Sequence, residues 1–151
     1  MRSIRMATLL WLGTLVPATA ETLAIFPPKF LDTSHEVRDQ SVDHQRRLDL
    51  LADTLNRELS PSVVIGRLQI AATCTPQTTD CLLALAREAQ AKLSLFVVVQ
   101  KTSTLIINIF ITLVDSGTGQ LIASPSLNFR GDTDEAWQRA ARFLARELQD
   151  S

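Results

Sequence analysis

The chain has 151 residues, of which 46% are hydrophobic and 21% are charged, and its formal net charge is −1 at pH 7. This length and composition are typical of one globular domain and exclude a low-complexity or fibrous protein. The slightly acidic balance also argues against a nucleic acid or an anionic membrane as partner, since both favour basic patches.

The first twenty residues have the features of a signal peptide. Two arginines are followed by the apolar segment MATLLWLGTLV, which is too short to cross a bilayer as a helix. Ala18 and Ala20 are the small residues that a signal peptidase requires. We therefore predict a cleaved signal peptide, residues 1–20, and a single domain, residues 21–151; a retained anchor helix is the alternative. Cleavage lowers the count of Lys and Arg from 15 to 13 against 16 acidic residues, leaving a charge of about −3.

Two cysteines, Cys74 and Cys81, remain in the predicted mature chain. An even number of cysteines in an exported protein indicates a disulfide. A redox-active thiol pair is the alternative, because Cys81 falls near the start of a predicted helix, where a thiolate is favoured. Their spacing is not that of a C-x-x-C motif, which favours the structural disulfide.

The mature chain begins with a predicted strand at Leu23 and Ile25, ended by Pro27 and Pro28, and continues as the polar loop LDTSHEVRDQS. The segment SVVIGRL is a second predicted strand. Apolar residues at helical spacing predict three helices, in SVDHQRRLDLLADTLNRELS, TTDCLLALAREAQAK and GDTDEAWQRAARFLARELQDS. The last begins with Asp132 and Glu135 at the spacing of a capping box.

The most apolar stretch after the N-terminus is KLSLFVVVQKTSTLIINIFITLVDSGTGQLI, residues 92–122. A membrane span is excluded because Lys101 and its polar neighbours divide the stretch and the residues are β-branched with a period of two. Two strands and a glycine-containing hairpin explain it, with Ile107, Ile109 and Ile111 on one face. LIASPSLNFR is a further strand, in which Pro125 indicates an edge or a bulge.

The fold class is therefore mixed α/β, in the order β-α-β-α-β-β-β-α. Two β-α-β steps predict parallel strands joined by right-handed crossovers, and the later hairpins add antiparallel strands. We expect a five-stranded mixed sheet with three helices.

Three segments, TLAIFPPKFLD, VVVQKTSTLIINIFITLVDSGTGQLIAS and NFRGDTDEAWQRAARFLARE, resemble a family of exported bacterial proteins known only as a domain of unknown function. The element order, and a hairpin with Asp115 and Thr118–Gly119 at its turn, is also similar to the TolB N-terminal domain and to CsgG-type periplasmic domains. The resemblance implies a TolB-N-terminal-like fold and a periplasmic, non-catalytic module that contacts other envelope proteins. It implies no catalytic residue.

The residues themselves predict no catalytic, cofactor or metal site. His35 and His44 lie near several aspartates, but their spacing matches no zinc motif, and we expect both to be solvated, with His44 on the charged side of its helix. Arg46 and Arg47 also indicate an exposed helix face. Arg139, like the two arginines three and seven residues after it, lies off the apolar stripe of the last helix, where an anion site or an exposed charged face is possible.

The predicted interaction surface comprises the polar turn after the third strand and the start of the last helix: Gln100, Lys101, Thr102, Thr104, Arg130, Asp132, Asp134 and Trp137. The alternative is that these are turn and cap residues and that Trp137 lies in the core. Two functions follow. One is a periplasmic accessory module that docks on an envelope protein; the other is a small-ligand binding protein or enzyme with a cleft near Lys101 and Arg130.

Overall fold

The structure is a computed structural model that describes residues 21–151, so the predicted signal peptide lies outside the described residues. Within this range, seven strands and four helices follow in the order β1 (Leu23–Ile25), β2 (Lys29–Asp32), α1 (Ser41–Glu58), β3 (Ser62–Val64), α2 (Arg67–Thr73), α3 (Thr79–Glu88), β4 (Leu93–Lys101), β5 (Ile106–Asp115), β6 (Leu121–Ala123), β7 (Ser126–Arg130) and α4 (Asp134–Gln149).

All seven strands belong to one mixed sheet with five positions, in the order β3-β1-β4-β5-β6. Strand β2 also pairs with β4, and β7 also pairs with β5, so each extends an existing position. β1 is parallel to β3 and β4, whereas β5 is antiparallel to β4, β6 and β7. The predicted mixed α/β class and mixed sheet are confirmed.

Prolines account for the larger number of strands. Pro27 and Pro28 interrupt the ladder between β1 and β2, because proline has no backbone N–H to donate. The nine-residue β4 is long enough to pair with both pieces, so part of the predicted polar loop is strand. Pro125 separates β6 from β7 in the same way, and the register against β5 shifts between Leu113 and Val114, as expected for a bulge.

A fourth helix, α2, was not predicted. Strand β3 ends at Val64, three residues before the chain turns into α2, although the apolar run SVVIGRL predicted a strand through Leu68. Ile70 and Cys74 are four residues apart, so they share one helix face, and both are buried. The side chain of Leu68 is exposed on another face of the same helix.

The two faces of the sheet differ in how far helices cover them. Helices α1 and α4 pack together on one side, which we call the closed face. Alternate residues of β4 and β5 are buried there: Leu95, Val97, Val99, Ile107, Ile109, Ile111 and Leu113. The alternation predicted for β5 is thus confirmed. Helices α2 and α3 cover the other side only over β1, β3 and the first half of β4.

Cys74 and Cys81 are joined by a disulfide, with a Cα–Cα distance of 5.7 Å. It connects the residue after α2 to the first turn of α3, whose N-cap Thr78 accepts a hydrogen bond from the backbone N–H of Cys81. The apolar stretch 92–122 forms β4, β5 and β6 of the sheet. No helix formed by residues 21–151 is both long and apolar enough to cross a membrane.

Candidate functional site

Asp132 lies at the centre of a cluster of charged side chains at one end of the closed face. Its Oδ1 accepts hydrogen bonds from Arg47 at 2.8 Å and from the indole Nε1 of Trp137 at 3.0 Å. Its Oδ2 accepts from His44 Nε2 at 2.8 Å and from Lys101 Nζ at 3.2 Å. The side chain of Asp132 is 8% exposed, so four donors hold one nearly buried carboxylate.

Lys101 connects this carboxylate to a second one. Its Nζ donates to Glu36 Oε2 at 2.6 Å, and its side chain is 1% exposed. Glu36 comes from the loop before α1, so the cluster joins that loop to α1, to the end of β4 and to the start of α4. We call Glu36, His44, Arg47, Lys101 and Asp132 the ion cluster.

The chain around Asp132 explains why this carboxylate is available. Gly131 has a φ of +98°, a conformation that residues with a Cβ rarely adopt, and it turns the chain from β7 towards α4. Thr133 is the N-cap of α4, and its hydroxyl accepts from the N–H of Ala136. The predicted capping box led by Asp132 is therefore wrong, because Thr133 fills that role and leaves the Asp132 side chain free to enter the ion cluster.

Burial and pairing act in opposite directions on the pKa values. Burial alone would raise the pKa of the Asp132 carboxyl, but its hydrogen bonds and the nearby Arg47 charge outweigh burial and hold that pKa below its ordinary value. Burial likewise lowers the pKa of Lys101, yet the hydrogen bonds to Glu36 and Asp132 outweigh burial, so the net shift is upward. Both groups are charged at neutral pH.

These shifts predict how stability depends on pH. A carboxyl with a lowered folded-state pKa stabilises the fold above its unfolded pKa and loses that contribution as the pH falls. The raised pKa of Lys101 contributes below its unfolded pKa and is lost at strongly alkaline pH. We expect the urea midpoint to be nearly constant from about pH 5 to 9 and to fall below about pH 4 and above about pH 10.

The Asp132→Asn variant tests how much Asp132 contributes to the loss of stability at acidic pH. Its midpoint should fall less steeply below about pH 4, although not become flat, since Asp32, Asp39, Asp115 and Asp134 also have lowered pKa values. Equal acid slopes for the variant and the natural protein would contradict a dominant contribution from Asp132.

Two expectations about exposure are wrong. His44 is buried and packs against the ring of Phe30, with ring centroids 4.6 Å apart, instead of lying on the charged side of α1. His44 lies four positions before Leu48, so it extends the apolar stripe of the helix, a spacing that was visible in the sequence. Arg47 is largely buried in the ion cluster, whereas Arg46 is half exposed and pairs with Asp43 and Asp134. His35 lies exposed in the loop before α1.

The eight residues of the predicted interaction surface fall into three places. Lys101, Asp132 and Trp137 are in or beside the ion cluster, with Trp137 fully buried, and Asp134 is at its rim, bonded to Arg47. Thr102 and Thr104 are exposed in the β4–β5 turn, where the backbone N–H of Thr102 donates to the carbonyl of Ile106. Gln100 and Arg130 lie on the opposite side of the sheet, where Gln100 is beside Asn108 and Arg130 is beside Ile106. Sequence reasoning missed Glu36, His44 and Arg47 as members of the cluster.

The ion cluster has the arrangement of a structural network. Among residues 21–151, every fully buried side-chain nitrogen or oxygen has a hydrogen-bond partner. None of the described His, Cys, Asp and Glu residues form a group that could hold a metal ion. A carboxylate held by four donors is a poor base, because removing its charge would leave buried cations unpaired. The cluster thus fixes the helices of the closed face.

The side of the sheet opposite the closed face carries an uncovered patch over β2, β4, β5 and β7. Of the side chains that register and strand alternation place on this side, we call six the open face: Leu31, Val98, Gln100, Asn108, Phe110 and Asn128. Phe110 is 45% exposed and Leu31 is 53% exposed. Asn128 donates to Asn108 at 2.7 Å, so two amides form part of a polar row beside the apolar residues.

Arg130 and Lys101 lie on opposite faces of the sheet. Arg130 pairs with Ile106, at the edge of the open face, whereas Lys101 pairs with Ile107, whose side chain is in the closed-face core. A single cleft that uses both cations, as one of the predicted functions requires, is therefore not formed by the described residues.

A groove of about 620 Å³ lies next to the open face, between α2–α3 and the middle of β4 and β5. Phe26 and Phe96 stack in its wall, with ring centroids 4.7 Å apart. Leu82, Leu83 and Val98 add aliphatic surface. Nothing in the sequence alone indicated this groove, because its walls come from four segments that meet only in the folded chain.

These features define a mixed α/β protein in which one sheet face is closed by two helices and the other is partly open. The chain belongs to the family described as "Protein of unknown function (DUF2380)", whose model, DUF3280, matches residues 21–148. The predicted membership in an uncharacterised family is thus confirmed. No curated protein is similar enough to count as a relative.

Several solved structures have a similar fold at low sequence identity. The hypothetical protein CT253 from Chlamydia trachomatis is 12% identical, with a TM-score of 0.54, over 87% of this chain and 96% of that one. Lipoprotein GNA1162 from Neisseria meningitidis is 16% identical, with a TM-score of 0.52, over 87% and 99%. TolB from Acinetobacter baumannii is 14% identical, with a TM-score of 0.51, over 88% of this chain and 28% of TolB. The expected TolB-like fold is confirmed.

Proposed function

We propose that this protein is an exported, non-enzymatic accessory module that docks on a protein partner in the cell envelope through its open face. The observation that carries the proposal is the pair of large apolar side chains, Phe110 and Leu31, exposed on a sheet face with a polar rim. Apolar centres surrounded by polar groups are the usual anatomy of protein interfaces.

Three observations support export and an envelope location. Residues 1–20 have the composition of a cleaved signal peptide. The Cys74–Cys81 disulfide is a bond that persists in oxidising compartments outside the cytosol. One of the proteins with a similar fold is a lipoprotein, which is a class of protein attached to membranes.

The size of the open face favours a transient partner. Four neighbouring strand positions, from β2 to β7, span about 14 Å at roughly 4.8 Å per strand spacing. Along β4 the patch runs only from Val98 to Gln100, or about 7 Å, so its area is on the order of 100 Å², which is small beside the roughly 800 Å² per partner of a standard stable interface. The nonenzymatic assignment is supported by the ion cluster, in which the buried acids and bases are already paired with one another.

Photo-crosslinking in the native host tests the docking face. Phe110→p-benzoylphenylalanine places the crosslinker on the open face, and Phe143→p-benzoylphenylalanine is the matched control, because Phe143 is 40% exposed on α4, on the other side of the molecule. We expect one adduct of defined mass from position 110, containing the same envelope protein in each replicate, and no such adduct from position 143. No adduct at position 110, or the same adducts at both positions, would overturn the proposal.

A further inference from the structure

We propose that the groove between α2–α3 and β4–β5 binds a single-chain amphiphile, with an aliphatic tail along β4 and an anionic head, carboxylate or phosphate, between Lys29 and Arg67. This site adjoins the open face and shares Val98 with it, but it includes neither Phe110 nor Leu31. It adds a ligand to the docking role and does not depend on it.

The walls of the groove have the chemistry of a site for an aliphatic chain. The stacked rings of Phe26 and Phe96 lie beside Ile70, Leu82 and Val98, and few lining side chains are polar. The volume of about 620 Å³ is within the range of about 300–1,000 Å³ that is usual for small-molecule sites. A sugar or nucleotide needs several convergent polar groups, which these walls do not supply.

One end of the groove is closed by the β5–β6 hairpin turn. A Cβ built on Gly119 would lie 3.4 Å from Cδ1 of Leu83 on α3, so the turn and α3 are in close contact there. The turn is also held by Arg87, whose guanidinium donates to the Ser116 carbonyl at 2.7 Å. The tail of a bound amphiphile would therefore end at this hairpin.

The two cations lie at the other end of the groove. The pairing of β1 with β3 ends at Ile25 and Val64, after which Lys29 begins β2 and Arg67 begins α2, so both cations follow the carboxyl ends of these two strands. The length of the groove can be measured along β4. Ser94 pairs with Val114 near the closed end and Val98 pairs with Lys29 at the cationic end, and these two residues of β4 are four positions, or about 13 Å, apart. The groove thus runs from an apolar closed end to a cationic open end.

Charge complementarity selects an anionic head. The residues that line the groove include two cations and no Asp or Glu, although the predicted mature chain has more acidic than basic residues. Arg67 pairs with Asp49 at 3.0 Å, but both side chains are about half exposed, so the pair is weak and open to exchange with a ligand. Lys29 is exposed at the groove rim.

Calorimetric titration of the purified, delipidated exported protein tests the proposal. The probes are dodecanoate and dodecyl phosphate, with dodecanol and dodecyltrimethylammonium as head-group controls and acetate and inorganic phosphate as tail controls, all at monomeric concentrations. We expect both anionic dodecyl probes to bind at least tenfold more tightly than the neutral and cationic ones, and acetate and phosphate not to bind. The relative affinities of the two anionic probes distinguish a fatty acid from a phosphate-headed lipid as the source.

Two variants and one control locate the site. Lys29→Gln should weaken dodecanoate binding about three- to tenfold and leave dodecanol binding unchanged. Thr112→Trp should block the tail, because Thr112 is an exposed strand residue in the groove wall and strands accept aromatic residues. Asn108→Trp, on the same strand and face but outside the groove, should bind dodecanoate normally.

Several outcomes would overturn the proposal. These are no binding of any dodecyl probe by a protein with a native circular dichroism spectrum, equal affinity for the anionic and cationic probes, or equal effects of Thr112→Trp and Asn108→Trp. Binding only to anionic vesicles, unaffected by Thr112→Trp, would also overturn it in favour of a membrane surface. None of these results alters the crosslinking expected at Phe110, so failure here is distinguishable from failure of the docking function.

Discussion

The Asp132→Asn variant should unfold with a free energy lower than that of the natural protein by about 3–5 kcal/mol at pH 7, as is usual when one partner of a buried ion pair is removed. The change removes the charge that Arg47 and Lys101 share, and it places an amide NH₂ where a carboxylate oxygen accepts two donors. Urea unfolding followed by circular dichroism measures the difference. The midpoint should fall while the slope against urea stays constant.

The matched control is Asp134→Asn, two residues along the chain. Asp134 also bonds to Arg47, but its side chain is 40% exposed, so water can replace the lost interaction. We expect a much smaller change in the urea midpoint for this variant. Similar midpoints for the two variants would contradict the central position given to Asp132.

The closed face could be predicted from the sequence because its signals are local. Alternation along β5 identified the buried Ile107, Ile109 and Ile111, and the apolar stripes of α1 and α4 were visible at helical spacing. The hairpin at Asp115 was also a local signal, and its carboxylate accepts from the N–H groups of Gly117 and Thr118. Each of these patterns is formed by residues that are close together in the sequence, within a single strand, helix or turn.

The segments that were predicted wrongly depend on tertiary packing. A run such as SVVIGRL fits a strand on propensity, but β3 ends at Val64, and Ile70 gains burial only when α2 packs on the sheet. Strand β2 forms because β4 continues past the prolines and offers it a partner. A four-residue segment such as KFLD has no comparable signal in isolation, since its partners Gln100 and Lys101 are almost seventy residues away in sequence.

The ion cluster combines both kinds of case. Its members come from residue 36 to residue 132, so no short pattern could assemble them. His44 lies on the apolar stripe of α1, which favours its burial, and a buried Lys101 requires an acidic partner because an unpaired buried charge is costly. Neither fact identifies Asp132 or Glu36 as that partner until the tertiary contacts are known. The predicted surface included Lys101 and Asp132 because they flank turns, and the structure gives them an inward role instead.

The difference between the two sheet faces links stability to the proposed functions. Two helices, the ion cluster and the largest apolar cluster hold the closed face, so the fold does not require complete cover on the other side. An antiparallel part of a sheet can expose one face to water, as β5 and β7 do. The exposed side chains of the open face can therefore change at little cost in stability, which is what binding surfaces need. In the groove this holds for the exposed Thr112 but not for Phe26, Ile70 and Leu82, which belong to a buried apolar cluster.

Trp137→Ala should lower the free energy of unfolding by about 3–5 kcal/mol, the usual cost of truncating a buried aromatic side chain. Trp137 is fully buried between Phe30 and Phe129, with ring centroids 6.5 Å and 6.4 Å away, and its indole donates to Asp132. The variant thus opens a cavity in the closed-face core and also removes one donor from the ion cluster. Urea unfolding followed by circular dichroism, which does not need the indole, measures the loss.

Two further variants divide the effect of Trp137. Trp137→Phe keeps most of the packing but loses the hydrogen bond, so it should cost about 1–3 kcal/mol, the price of leaving one buried acceptor short of a donor. Phe143→Ala, on the same helix but 40% exposed, should change the urea midpoint little. A Trp137→Ala midpoint no lower than that of Phe143→Ala would contradict a core position for the indole. Because the closed face is spatially separate, a folded Trp137→Phe protein should still crosslink from position 110 and bind dodecanoate.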